Sequence, residues 1–100
     1  MKDAFKKQPL EVFPISVDFS RVLESLEFVD ENNSSVIVTD ADGNDVSTEI
    51  LEGSLSESGG VIIQKIKGGE TGKSYKITFL AVTTLNNTFE KDIRMDVLDT

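Results

Sequence analysis

The chain has no cysteine, no histidine and no tryptophan in its 100 residues, and only one tyrosine and two prolines. Without cysteine there is neither a disulfide framework nor a thiolate metal site. Without histidine, the commonest general base, the Ser-His and Cys-His nucleophile pairs and the commonest zinc ligand are all excluded. Carboxylates and lysine remain, but an enzyme assembled from those alone is not the expectation. No apolar run approaches the roughly 20 residues of a membrane-spanning helix. Residues 1–8 are too short and too polar for an export signal, so synthesis is expected in the cytoplasm. The N-x-Ser/Thr sequences at Asn32, Asn33 and Asn86 are then not expected to carry a glycan.

Positive charge is scarce over half of the chain. Residues 8–57 contain twelve acidic side chains and one basic, Arg21, whereas residues 58–100 contain five acidic and six basic; the net charge is -8. Phosphate groups would be repelled by the first half, so nucleic acid is not an expected partner, and neither is a membrane. A solvated acidic surface that maintains solubility explains the imbalance. Steering between unlike faces of neighbouring subunits is the alternative.

What is present is a succession of short β-type runs, with turn signals every eight to twelve residues. Alternation of Phe13, Ile15, Val17 and Phe19 predicts a first strand over 10–19, at a sheet edge because Pro14 has no N–H for a ladder. A short helical turn is expected at Ser20–Glu24, then strands around Leu26 and Phe28, at 36–39, 46–51, 61–66, 75–83 and 89–98. The serine- and glycine-rich stretch from Gly53 to Gly60 reads as a loop. The fold class is therefore all-β: an immunoglobulin-like antiparallel β-sandwich of about seven strands. It is expected to occupy residues 9–98, with residues 1–8 as a flexible N-terminal arm.

Three motifs compete for a functional reading. Gly72-Lys73-Ser74 resembles the end of a phosphate-binding loop, but that motif needs glycine where Lys67 stands, and a helix where the β-rich run Tyr75-Lys76-Ile77-Thr78-Phe79 stands. Gly68, Gly69, Gly72 and Tyr75 read instead as a tyrosine corner at the entry to the penultimate strand, a structural element. Asp40-Ala41-Asp42-Gly43-Asn44-Asp45 has oxygens at alternate positions. A helix-loop-helix calcium site would need glycine sixth and glutamate twelfth, where Asp45 and Leu51 stand. A hairpin turn is the expectation, with Asp40, Asp42 and Asp45 as the residual metal candidates. Glu24, Glu27, Asp30 and Glu31 read as a charged turn, because no pocket aromatics accompany them for a sugar. No catalytic residue and no cofactor are expected. Alternation points Leu80 and Val82 outward, and these two with Phe5 are the interface candidates.

The segment Ile66-Lys67-Gly68-Gly69-Glu70-Thr71-Gly72-Lys73-Ser74-Tyr75-Lys76-Ile77-Thr78, then Thr83-Thr84, a polar turn and Phe89 to Val97, resembles a family of small bacteriophage virion proteins. These are immunoglobulin-like or fibronectin-like sandwiches known as fibre-tail adaptor or tail-associated proteins. The proline-containing first strand, Val36 to Asp40 and Asp42-Gly43 fit the same outline, and the resemblance spans residues 9–98. It implies a non-enzymatic structural component of a phage or prophage particle, located in the virion. The partners it implies are other virion or tail proteins, with self-association in a ring as one arrangement. The alternative is a bacterial cell-surface adhesion or carbohydrate-binding sandwich, which would need an export signal and exposed aromatics for stacking.

Overall fold

The computed structural model describes residues 3–99. Seven strands form two packed sheets: β1 (Ala4–Lys7), β2 (Phe13–Asp18), β3 (Ser35–Thr39), β4 (Leu51–Ser58), β5 (Val61–Ile66), β6 (Ser74–Val82) and β7 (Thr88–Val97). One sheet has the order β1-β7-β6-β3 and the other β2-β5-β4. Setting β1 aside, these are the G-F-C and B-E-D orders of an immunoglobulin-type sandwich.

Period-two alternation explains the central strands. On β6, Tyr75, Ile77, Phe79 and Ala81 are buried between the sheets while Lys76 faces solvent. Met95 and Val97 of β7, Val38 of β3, and Ile62 and Ile66 of β5 complete a core whose inner members have no exposed surface. Each closely packed core side chain makes deletion costly, because a cavity adds to the lost transfer energy. The proline-containing β2 pairs with β5 alone and is an edge strand, as Pro14 requires. A single 3₁₀ turn, Ser20–Val22, comes after it.

Four features differ from the sequence expectation. The sandwich is not wholly antiparallel: β1 runs parallel to β7, pairing Ala4 with Arg94 through Lys7 with Val97. Residues 4–7 therefore lie in a sheet rather than in a flexible arm; Met1 and Lys2 lie outside the described residues. Phe5 and Lys7 turn inward on alternate positions, which anchors the segment. Second, no strand forms around Leu26 and Phe28; Val29 makes an isolated bridge to Thr83. Third, residues 46–50 are not a strand, and Leu51 belongs to β4 as its first residue. Ser47–Ile50 form one helical turn, α1, opened by the Asp45 carboxylate accepting the Ser47 N–H at 2.9 Å. The Ser47 hydroxyl in turn accepts the Val38 N–H at 2.9 Å.

The fourth difference is β4, which occupies most of the stretch read as a loop. Serines and glycines hide it, and its ladder with β5 shifts register between Glu52 and Ser56. Gly53 sits in that irregularity at φ +74°, a conformation costly for a residue with a Cβ. Buried Gln64 donates its amide to the Glu52, Gly53 and Lys65 carbonyls at 3.4, 3.1 and 2.9 Å, replacing ladder bonds that the bulge removes.

Candidate interaction surfaces

The glycine-tyrosine corner closes one end of the sandwich. The N–H of Glu70, five residues before Tyr75, donates to the tyrosine hydroxyl at 2.9 Å, while the Tyr75 ring is buried. Gly68 and Gly69 adopt φ +62° and +95°; a Cβ on the first would lie 2.7 Å from the Glu49 carbonyl oxygen, and on the second 2.7 Å from Val97 Cγ2. Lys73 leads directly into β6, which begins at Ser74, so no helix N-terminus is present to receive a phosphate. At the same end, Lys7 is 1% exposed, and its ammonium donates to the carbonyls of Gln8, Pro9 and Gly68 at 2.8, 3.1 and 2.7 Å. Burial pushes its pKa down, with Glu11 acting in the opposite direction. Outside this pinned corner, Leu10 is 95% exposed and Val12 and Leu98 are exposed beside it.

The Asp40–Asp45 turn also lies at this end. Asp40 Oδ1 accepts the N–H groups of Asp42 and Asn44, both at 2.9 Å. Hydrogen bonds from Asn44 hold Asp40, and those from Ser47 hold Asp45, below the usual carboxylate range. These carboxylates organise a turn, and among the described residues no three of His, Cys, Asp and Glu gather around a metal position.

The opposite end is pinned by the other sign of charge. Glu27, 4% exposed, accepts the Thr83 hydroxyl, the Asn87 side-chain amide at 2.9 Å and the Glu24 N–H at 2.8 Å. The Thr83 hydrogen bond is the largest influence lowering its pKa, and the donors together outweigh burial. Leu26 adopts φ +66°, an outlier for a residue with a large side chain. Phe28 exchanges hydrogen bonds with Thr84, donating to Oγ1 at 3.0 Å and accepting the Thr84 N–H at 2.8 Å. With Glu27 turned inward, its neighbours turn out: Leu26 is 82% exposed, Phe28 61% and Leu85, in the β6–β7 turn, 51%.

Of the three interface candidates, Phe5 lies apart from Leu80 and Val82, and Val82 closes β6 at the second end. Phe5 stands half-buried in a cleft of about 1020 Å³ between the edges of β1 and β2, with its ring edge-on to Phe13 at 6.0 Å. Ile15, Phe89 and Ile93 also line this cleft, and Lys91 meets Asp3 on its rim at 2.9 Å. Leu80 and Val82 are half-buried on the outward face of β6. Exposed Ile37 of β3 is diagonal to Leu80, because Ser35 pairs with Leu80 and Ile37 with Thr78.

The family model for the podophage GP4 fiber-tail adaptor protein gp77 matches residues 7–96. The chain belongs to this family. A search of the curated proteins found no match. As a fiber-tail adaptor, it is a non-enzymatic structural component of the phage virion tail, and binding of fibre and tail proteins is the role that membership carries. The two exposed apolar ends are not evident from the sequence. At Leu26-Glu27-Phe28, alternation suggests two apolar residues facing in and a glutamate facing out. The structure has the reverse, because Thr83 and Asn87, nearly sixty residues away, supply donors that no local pattern reveals. Buried Lys7 was likewise hidden, since its acceptors include a carbonyl in the glycine corner.

Proposed function

We propose that this fiber-tail adaptor holds its two partners at opposite ends of the sandwich, as a rigid spacer. The observation carrying this reading is the placement of exposed apolar residues. Leu10, Val12 and Leu98 stand at the end where β6 begins, and Leu26, Phe28 and Leu85 at the end where β6 gives way to β7. Between them lies the length of the strands, roughly 30 Å for the ten residues of β7, within a molecule 45 Å long and 24 by 23 Å across. Exposed clusters of large apolar residues mark protein contacts. The acidic surface makes nucleic acid an unsuitable partner, and no helix of the described residues is long and apolar enough to cross a membrane.

The test mixes purified tail protein, purified fibre protein and this chain, and weighs the products by mass photometry. A ternary species that forms only when the chain is present is expected. A chain that engages neither protein, or only one of them, overturns the reading.

Self-association is a second reading, favoured by the cleft beside Phe5. Its floor is apolar and its rim has balanced sign, with Lys6, Arg21 and Lys91 set against Asp3, Asp18 and Glu90, which suits a second copy of the chain. Leu80 and Val82, beside Ile37, extend the contact candidates to the outward face. Residues 4–7 are already paired within their own chain, so they do not serve as a clamp on a neighbour. Light scattering at high concentration decides: a monomer removes this reading, and an oligomer that Phe5→Asp dissolves supports it.

A further inference from the structure

We infer that the Leu26–Phe28–Leu85 end is a preformed plug for an apolar pocket with a basic rim on one of the two partners, an inference that rests on the adaptor reading above. The three side chains are exposed and come from two chain segments that Phe28 and Thr84 tie together by reciprocal hydrogen bonds. Their backbone is held from beneath by the Glu27 carboxylate and its three donors. The plug is therefore shaped before it meets a partner, which lowers the ordering cost of association. A phenylalanine flanked by two leucines provides the kind of apolar centre from which interfaces draw most of their energy.

The chemistry of the partner is set by the surroundings of the plug. Glu24 and Glu31 are exposed near it, with half-buried Asp30 and Glu57, and Glu90 faces out from the first rows of β7. The carboxylates are tied to this end by position: the Asp30 N–H donates to the Val82 carbonyl at 2.8 Å, and the Glu57 N–H to Glu31 at 2.9 Å. Among the described residues, the cations on this half of the strands are Arg21 and Lys91, the latter paired with Asp3. The other end is different, with Lys6, Lys67, Lys73, Lys76 and Arg94 mixed among its acids. An acidic collar around an apolar centre is complementary to a basic rim around an apolar pocket. It also repels a second copy of itself and any phosphate backbone.

The experiment immobilises the purified tail protein and the purified fibre protein separately and passes the full-length chain over each. One surface should lose roughly 30-fold in affinity with Phe28→Asp, the size of a hot-spot truncation, and stay within about twofold of wild type with Leu10→Asp. Association on that surface should slow steeply as salt rises. Leu85→Asp, on the other chain segment, repeats the test should Phe28→Asp fail to fold. Binding of wild type to both proteins with no loss in either variant overturns the plug but leaves the adaptor reading intact. Association that is indifferent to salt, or strengthened by it, overturns the basic rim. Dimers of the free chain that vanish with Phe28→Asp assign this end to a second copy and overturn the inference. Binding of wild type to neither protein overturns both readings together.

Discussion

At the corner end of the sandwich a buried ammonium gathers three carbonyls; at the plug end a buried carboxylate gathers three donors. Both side chains secure loops that the hydrophobic core does not reach, and both leave apolar neighbours facing solvent. The means differ. At the corner, Gly68 and Gly69 fit the backbone between Glu49 and Val97, and Gly68 presents its carbonyl to Lys7. At the plug there is no glycine, and Leu26 and Asn86 take positive φ values themselves. The comparison teaches that one device, a satisfied buried charge, can fix either a crowded corner or an open and strained turn. It also separates stability from recognition: the buried charges hold the shape, and on the proposed reading the exposed side chains beside them are left for partners.

The comparison is broken most severely at Gly68. Gly68→Ala places a Cβ against the Glu49 carbonyl in left-handed backbone, and about 3 kcal/mol of stability should be lost, read as a large fall in melting temperature. Lys7→Met leaves the carbonyls of Gln8, Pro9 and Gly68 without their donor; a loss of about 2 kcal/mol is expected in urea titration. Tyr75→Phe removes the single bond from Glu70 and should cost about 1 kcal/mol.

Acid sharpens the contrast between the ends. The folded pKa of Glu27 lies below its ordinary value of 4.5. Its contribution is thus complete above that value and is lost as pH falls through the lowered one. Protection from hydrogen exchange at the Glu24 backbone N–H and the Asn87 side-chain amide should fall in that window before protection of the corner does, and Glu27→Gln should remove the difference. Lys7 acts in the opposite direction: its pKa is lowered on folding, so its contribution to stability rises as pH climbs through the folded value. The smallest effect is expected for Phe28→Asp. With its side chain mostly in water, stability should change by no more than about 0.5 kcal/mol while partner binding changes strongly.

Much of the sandwich was legible because its central strands alternate strictly. Tyr75, Ile77, Phe79 and Ala81 declare the buried face of β6, and Pro14 marks its strand as an edge. Tyr75 after three glycines announced a corner whose hydrogen bond has the expected geometry. The rest was hidden for identifiable reasons. The eight residues of β4 include three serines and a bulged glycine, and their ladder depends on Gln64, an unremarkable polar residue in the sequence. Residues 46–51 alternate only weakly, and a helical turn forms at Ser47–Ile50, where the Asp45 carboxylate accepts the Ser47 N–H. The exposed apolar end at Leu26 and Phe28 was the least legible, because which of Leu26, Glu27 and Phe28 faces inward depends on partners supplied from the turn after β6.

Pro14 has one more consequence. A sheet edge is a template on which further chains can stack, and a protein meant for a fixed place in a particle must not polymerise beforehand. The β2 edge carries a proline that offers no donor, and the β1 edge is four residues long and carries an exposed lysine. Runaway growth along these two of the four sheet edges is thereby discouraged.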